Sequence, residues 1–153
     1  MTLRGTPQLY YGTEIMMKNF ADPDGKVRSD FPGGWAADSL NKFEKSGRNA
    51  IETEAFNHLR KLAHWRKTNK AITEGKLMQF VPEKGLYVYF RYHQTQTVMV
   101  IANCSKNPNL LDVTRYNERL AGKRHAYDVI SGEELQLENL QLAPWQSLVL
   151  EIK

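Results

Sequence analysis

At 153 residues, with 41% hydrophobic and 25% charged side chains, the chain has the composition of a soluble globular protein, with room for one ordinary domain or a small domain plus an appendage. No apolar run approaches the roughly 18 residues of a membrane span, and the formal charge of +4 (pI about 9.2) is spread too thinly to mark a nucleic-acid surface. The densest basic group, Arg60, Lys61, Arg66, Lys67 and Lys70, follows one helical pattern and reads as a solvated face; the single cysteine, Cys104, excludes an internal disulfide.

In chain order, Gln8-Leu9-Tyr10-Tyr11 suits a short buried strand that Pro7 can start and Gly12 can end. From Met16 to Arg48 the turn residues are dense, with Asp22-Pro23-Asp24-Gly25 and Phe31-Pro32-Gly33-Gly34-Trp35, so this stretch reads as one long loop, of a length that calls for a functional reason. Asn49 followed by Glu52 gives a capping-box pattern. Ile51, Ala55, Leu59, Leu62 and Arg66 then fall on one stripe of an amphipathic helix running from Ala50 to about Lys70.

Past Lys76 the period drops to two. Strands are expected over 76–81, 86–92, 97–103 and 147–153, with a further pair, 126–130 and 134–137, around Ser131-Gly132. Leu86, Val88, Phe90 and Tyr92 share one face of their strand, with Tyr87, Tyr89 and Arg91 on the other, and His93-Gln94-Thr95-Gln96 forms a hairpin loop. Residues 112–120 carry a mixed pattern, strand-like at Leu110-Leu111 and helical between Thr114 and Leu120. Cys104, following an apolar strand, is expected to be a buried, inert thiol. Short antiparallel strands at this spacing imply a β-sandwich.

Three stretches carry a resemblance. Gly5, Pro7, Tyr10, Tyr11, Gly12 and Glu14 resemble the eighth barrel strand of the alpha-amylase superfamily of glycoside hydrolases (family 13). Tyr127 to Glu133 and Leu142 to Leu150 resemble a turn and the closing strand of the all-β domain that follows that barrel. The resemblance implies a mainly β chain: a C-terminal antiparallel β-sandwich (75–153) preceded by the last strand, long loop and last helix of a truncated TIM (β/α)8 barrel (1–74). The loop carrying Asp30-Phe31-Pro32-Gly33-Gly34-Trp35 resembles that of maltodextrin- and starch-degrading members, which implies the C-terminal portion of an α-glucan hydrolase of neopullulanase or cyclomaltodextrinase type.

The retaining reaction needs two carboxyl groups about 5 to 5.5 Å apart. The family draws them from strands absent here, so no catalytic residue and no activity are expected of this portion alone. By the same resemblance, Asp22 and Arg28 correspond to a carboxylate and guanidinium that grip sugar hydroxyls, with Lys26 an alternative to Arg28; the plain alternative is an Asx turn beside an exposed arginine. Trp35 offers a stacking face to a glucose ring or pins the loop, while Trp65 and Trp145 fit core or interdomain packing.

The four histidines lack metal spacing and no cofactor is expected in this portion, though calcium could bind elsewhere in an intact enzyme. The expected partner is an α-glucan oligosaccharide, with neither nucleic acid nor membrane; a second copy of the chain could cover the incomplete barrel segment. The rival reading is a free-standing β-sandwich that binds carbohydrate or another partner, with residues 1–70 as a tether.

Overall fold

The computed structural model describes residues 1–153, which fall into two compact units: one is Met1–Thr6 with Leu62–Lys153, the other Pro7–Lys61. The first is built on a six-stranded antiparallel sheet. Its strands are β1 (Lys76–Gln79), β2 (Leu86–His93), β3 (Gln96–Asn103), β5 (His125–Asp128), β6 (Glu134–Gln136) and β8 (Ser147–Ile152), in the order β1-β2-β3-β8-β5-β6. β2 and β3 pair in register from Leu86↔Asn103 to His93↔Gln96, leaving Gln94-Thr95 as the hairpin turn.

Alternation sorts the side chains. Leu86, Val88, Phe90, Met99, Ile101, Leu148, Leu150 and Ile152 pack in one cluster, and Tyr89, Val98, Val100 and Val149 in another. The second cluster is closed by Leu62, from the end of α1 (Ala50–Thr68), and by Ala71 and Ile72 of α2 (Lys70–Thr73). The first is closed by Leu111, Tyr116, Leu120, Leu137 and Leu142. The expected sandwich therefore has an uneven second layer. It consists of a ribbon of two-residue strands, β4 (Asn109–Leu110) and β7 (Gln141–Leu142), together with a 3-10 turn at Val113–Tyr116 and α3 (Asn117–Leu120).

Polar side chains fix the joints. Asn69 ends α1 and caps α2, its Oδ1 accepting from Ile72 N at 3.2 Å; its Nδ2 and the Trp65 indole N–H both donate to Glu151 Oε1, at 2.9 and 2.7 Å. Asp128, buried at the end of β5, accepts from the Ile130 and Ser131 N–H groups, while Gly132 takes the left-handed conformation (φ 84°) and donates to Asp128 O. That turn needs a short acceptor first and a glycine fifth, which is why the Asp-x-x-Ser-Gly pattern stands out in the sequence. Gly75 is required for space: a Cβ there would lie 2.1 Å from Ala71 O and 2.6 Å from Tyr92 O.

Arg91, on the face shared with Tyr89, is only 2% exposed and has no carboxylate beside it. Its guanidinium donates instead to four main-chain carbonyls: Lys76 (3.2 Å), Thr2 (3.2 Å), Ile72 (2.8 Å) and Gly75 (2.8 Å). Arg66 similarly donates to the carbonyls of Met1, Leu3 and Gly5, so two arginines hold the first residues of the chain in this unit. Burial, with Arg66 and Arg4 nearby, lowers the Arg91 pKa from its ordinary value.

In the other unit the expected loop is present, ordered by 3-10 turns at Asp24–Arg28 and Lys45–Gly47, with a further one at Thr13–Ile15 just before it. Gln8–Tyr11 does not form the expected strand, because no neighbouring strand supplies a hydrogen-bond ladder. Cys104 also departs from expectation. It is exposed, one residue beyond β3, and Asn103 takes the buried place with its amide bonded to the carbonyls of Asn107 and Ala143.

Candidate functional site

The three residues expected to touch sugar all lie in the Pro7–Lys61 unit, and the structure does not assemble them into one site. Arg28 pairs with Asp24 (2.7 Å) rather than with Asp22, both side chains being mostly in solvent, so the pair itself contributes no more than about 1 kcal/mol. Trp35 is 65% exposed; its main-chain N–H donates to Asp38 Oδ2, which also holds Gly33 N, so the loop is pinned by Asp38 while the indole stays free. Trp145, expected in a core or a domain contact, is not in a core: it is 65% exposed.

This unit carries a groove of about 580 Å³ lined by Tyr10, Tyr11, Lys18, Asn19, Lys26, Ser29, Lys42 and Glu52, among others. Of the three candidates none lines it, whereas Lys26, the alternative to Arg28, does. Tyr10 and Tyr11 stand with ring centroids 4.6 Å apart, and the Tyr11 hydroxyl donates to Ser29 O at 3.1 Å. Glu52 is the only carboxylate on the groove wall, so a retaining pair cannot be assembled there. No group of three or more His, Cys, Asp or Glu side chains is placed to hold a metal ion.

Glu52 joins the groove to the start of α1. It accepts from Asn49 N (2.9 Å) while Asn49 Oδ1 accepts from Glu52 N (2.9 Å), the reciprocal capping box the sequence predicts, and it also forms an ion pair with Lys42. The Lys42 pairing, invisible in the sequence because it spans a turn-rich segment, and then the Asn49 N–H hold the Glu52 carboxyl below its ordinary range. A depressed carboxyl pKa stabilises the fold above the unfolded value, about 4.3, and that contribution is lost as pH falls through the folded pKa. Hydrogen exchange at the Asn49–Thr53 amides is therefore expected to accelerate as pH is lowered from 5 toward 3, after correction for intrinsic rates. In Glu52→Gln the protection is already reduced at pH 6 and that acid step is absent.

Together these features define a mainly β antiparallel-sheet domain, preceded by a helix and a loop-rich segment. Residues 77–151 match the family described as the Cyclo-malto-dextrinase C-terminal domain. The chain is 34% identical to a cyclomaltodextrin glucanotransferase of Niallia circulans over 67% of its own length and 12% of that protein. With Alpha-amylase 3 of Dictyoglomus thermophilum it shares 24% identity over 99% of its length and 32% of that enzyme. In fold it is similar to the alpha-amylase of Geobacillus thermoleovorans solved with acarbose (TM-score 0.71, 20% identity, 99% of this chain and 31% of that one). A maltogenic amylase from S. marinus gives a TM-score of 0.68, at 18% identity over 98% and 18%. Residues 77–151 thus belong to the cyclomaltodextrinase C-terminal domain family, and the chain is a relative of the alpha-amylase superfamily of glycoside hydrolases. It spans from about an eighth to a third of the length of these relatives.

Proposed function

We propose that the chain is the C-terminal portion of a retaining glycoside hydrolase acting on α-glucans such as maltodextrin, starch, pullulan or cyclodextrin. In this reading residues 1–74 complete a (β/α)8 barrel with its eighth strand, the following loop and the last helix, and residues 75–153 are the appended all-β domain. The observation that carries it is the alignment with Alpha-amylase 3, which runs through the loop-rich segment as well as the sheet. The exposure of Leu9, Tyr10, Phe20, Phe43 and Ile51, large apolar side chains in a segment with little core of its own, supports it on physical grounds.

The catalytic acids then lie on polypeptide outside these residues, and this portion shapes the outer sugar subsites through Asp22, Arg28 and Trp35. Freed from an Asp24 contact of little strength, Arg28 can turn toward a sugar beside Asp22, and Trp35 offers an unobstructed face. Within this reading the covering partner of the apolar segment is the rest of the barrel, or a second copy when the portion is isolated.

The purified 153-residue chain is expected to release no reducing ends from maltodextrin or cyclodextrin. In the complete polypeptide, Asp22→Ala, Arg28→Ala and Trp35→Ala each raise KM for maltodextrin by several-fold. Hydrolysis by the isolated chain, or unchanged kinetics in all three variants, would overturn the assignment.

A further inference from the structure

The turn at Ala143-Pro144-Trp145-Gln146 breaks a local rule. Gln146 N–H donates to Ala143 O at 3.2 Å, proline occupies the second position, and the third residue has φ 60°. Turns of this kind place glycine or asparagine third, because a side chain with positive φ crowds the backbone; a large aromatic is among the least suited residues. Here that residue is a tryptophan, and it is 65% exposed, so burial of the indole does not offset the strain.

The surroundings hold the strained turn firmly. Trp145 N–H donates to Ser105 O (3.3 Å), Gln146 Oε1 accepts from Ala143 N (2.8 Å), and Asn103 Nδ2 donates to the carbonyls of both Ala143 and Asn107 (2.8 Å each). All of the turn's fixings are made by main chain or by Gln146 and Asn103, which leaves the indole displayed on a rigid mount. In the adjoining 104–109 loop Ser105 Oγ, Asn109 Nδ2 and Asn103 Oδ1 bond one another, which stiffens the loop, and Asn107 is its exposed amide.

We infer that Trp145 is a stacking platform for an α-1,4-linked glucan, a site on the sheet unit separate from Asp22, Arg28 and Trp35. A pyranose ring presents a face of C–H groups to an indole and a rim of hydroxyls to neutral hydrogen-bonding side chains; Trp145 supplies the first and the exposed Asn107 amide, on the loop that Asn103 ties to the same turn, the second. A turn held this firmly gives up little main-chain freedom on binding, so its strain is matched by preorganisation of the mount. The choice of an α-glucan rests on the function proposed above.

The test is a calorimetric titration of the whole 153-residue chain with maltoheptaose. Saturable binding is expected, weakened about tenfold or more in Trp145→Gly, which fits the positive φ better than tryptophan and so retains the fold; the tenfold corresponds to about 1.4 kcal/mol. Val81→Ser, which removes a different exposed apolar side chain, leaves the affinity unchanged. No binding to the wild-type chain, or equal affinity in Trp145→Gly, overturns the platform. An indole serving a protein contact instead gives the first of these results. Neither outcome bears on whether the complete polypeptide hydrolyses α-glucans, so the two readings fail separately.

Discussion

Arg91→Leu lowers the stability of the sheet unit by about 3 kcal/mol or more, seen as a reduced midpoint in urea denaturation. Leucine has a similar apolar stem and suits the strand, so the loss comes from the other side of the contact. The carbonyls of Thr2, Ile72, Gly75 and Lys76 lose their donor, and each one left dry costs about 1–3 kcal/mol. Removing a buried ion pair with both partners can be neutral, but here the acceptors are backbone and cannot be removed. Arg91→Lys discriminates: a single ammonium cannot reach carbonyls spread around a planar fork, so it recovers only part of the loss. Equal stability of Arg91→Leu and wild type would show that the four bonds contribute nothing net. A further consequence is local, since Met1–Gly5 should become protease-sensitive in Arg91→Leu before the sheet unfolds.

Phe90→Ala is expected to cost about 4 kcal/mol. Phe90 has no exposed surface and sits in the middle of β2 with Phe80 edge-on at 5.9 Å and Tyr116 tilted at 6.3 Å. The lost transfer energy is increased by a cavity that these two rings, themselves in contact at 4.9 Å, can fill only in part. Phe90→Leu fills most of the volume and loses clearly less. A cost under about 1 kcal/mol for the alanine variant would mean that the six-stranded sheet is not the main core of this unit.

The long strands were legible because aliphatic and aromatic residues run through them almost unbroken: both faces of the sheet are covered, so successive residues of β2, β3 and β8 are buried. β2, β3 and β8 fall within a residue of the expected ranges. The capping box at Asn49 and the turn after Asp128 were legible for another reason: each uses neighbours in sequence whose chemistry is self-contained. The two-residue strands β4 and β7 were not, because a pair of residues carries no period; the second layer was therefore expected as fuller than it is. Gln8–Tyr11 had strand-forming residues and no partner, a reminder that β preference describes a place in a sheet rather than a property of the chain.

Burial of Arg91 was equally hidden. Its acceptors are carbonyls brought from residues 2, 72, 75 and 76, and a carbonyl leaves no mark in a sequence. Cys104 was misplaced by one residue of register, where β3 ends and a bonded asparagine takes the inner position. The resemblance named Asp22, Arg28 and Trp35, none of which lines the groove, while the groove wall built from Lys42 and Glu52 required the loop to be folded before it could be seen.

A direct measurement decides whether these residues are joined to a catalytic barrel. Antibody raised against residues 77–151 should capture, from an extract of the native source, a polypeptide well above 17.7 kDa that hydrolyses maltodextrin. Recovery of a 17.7 kDa polypeptide alone, without associated glucan-hydrolysing activity, would contradict it.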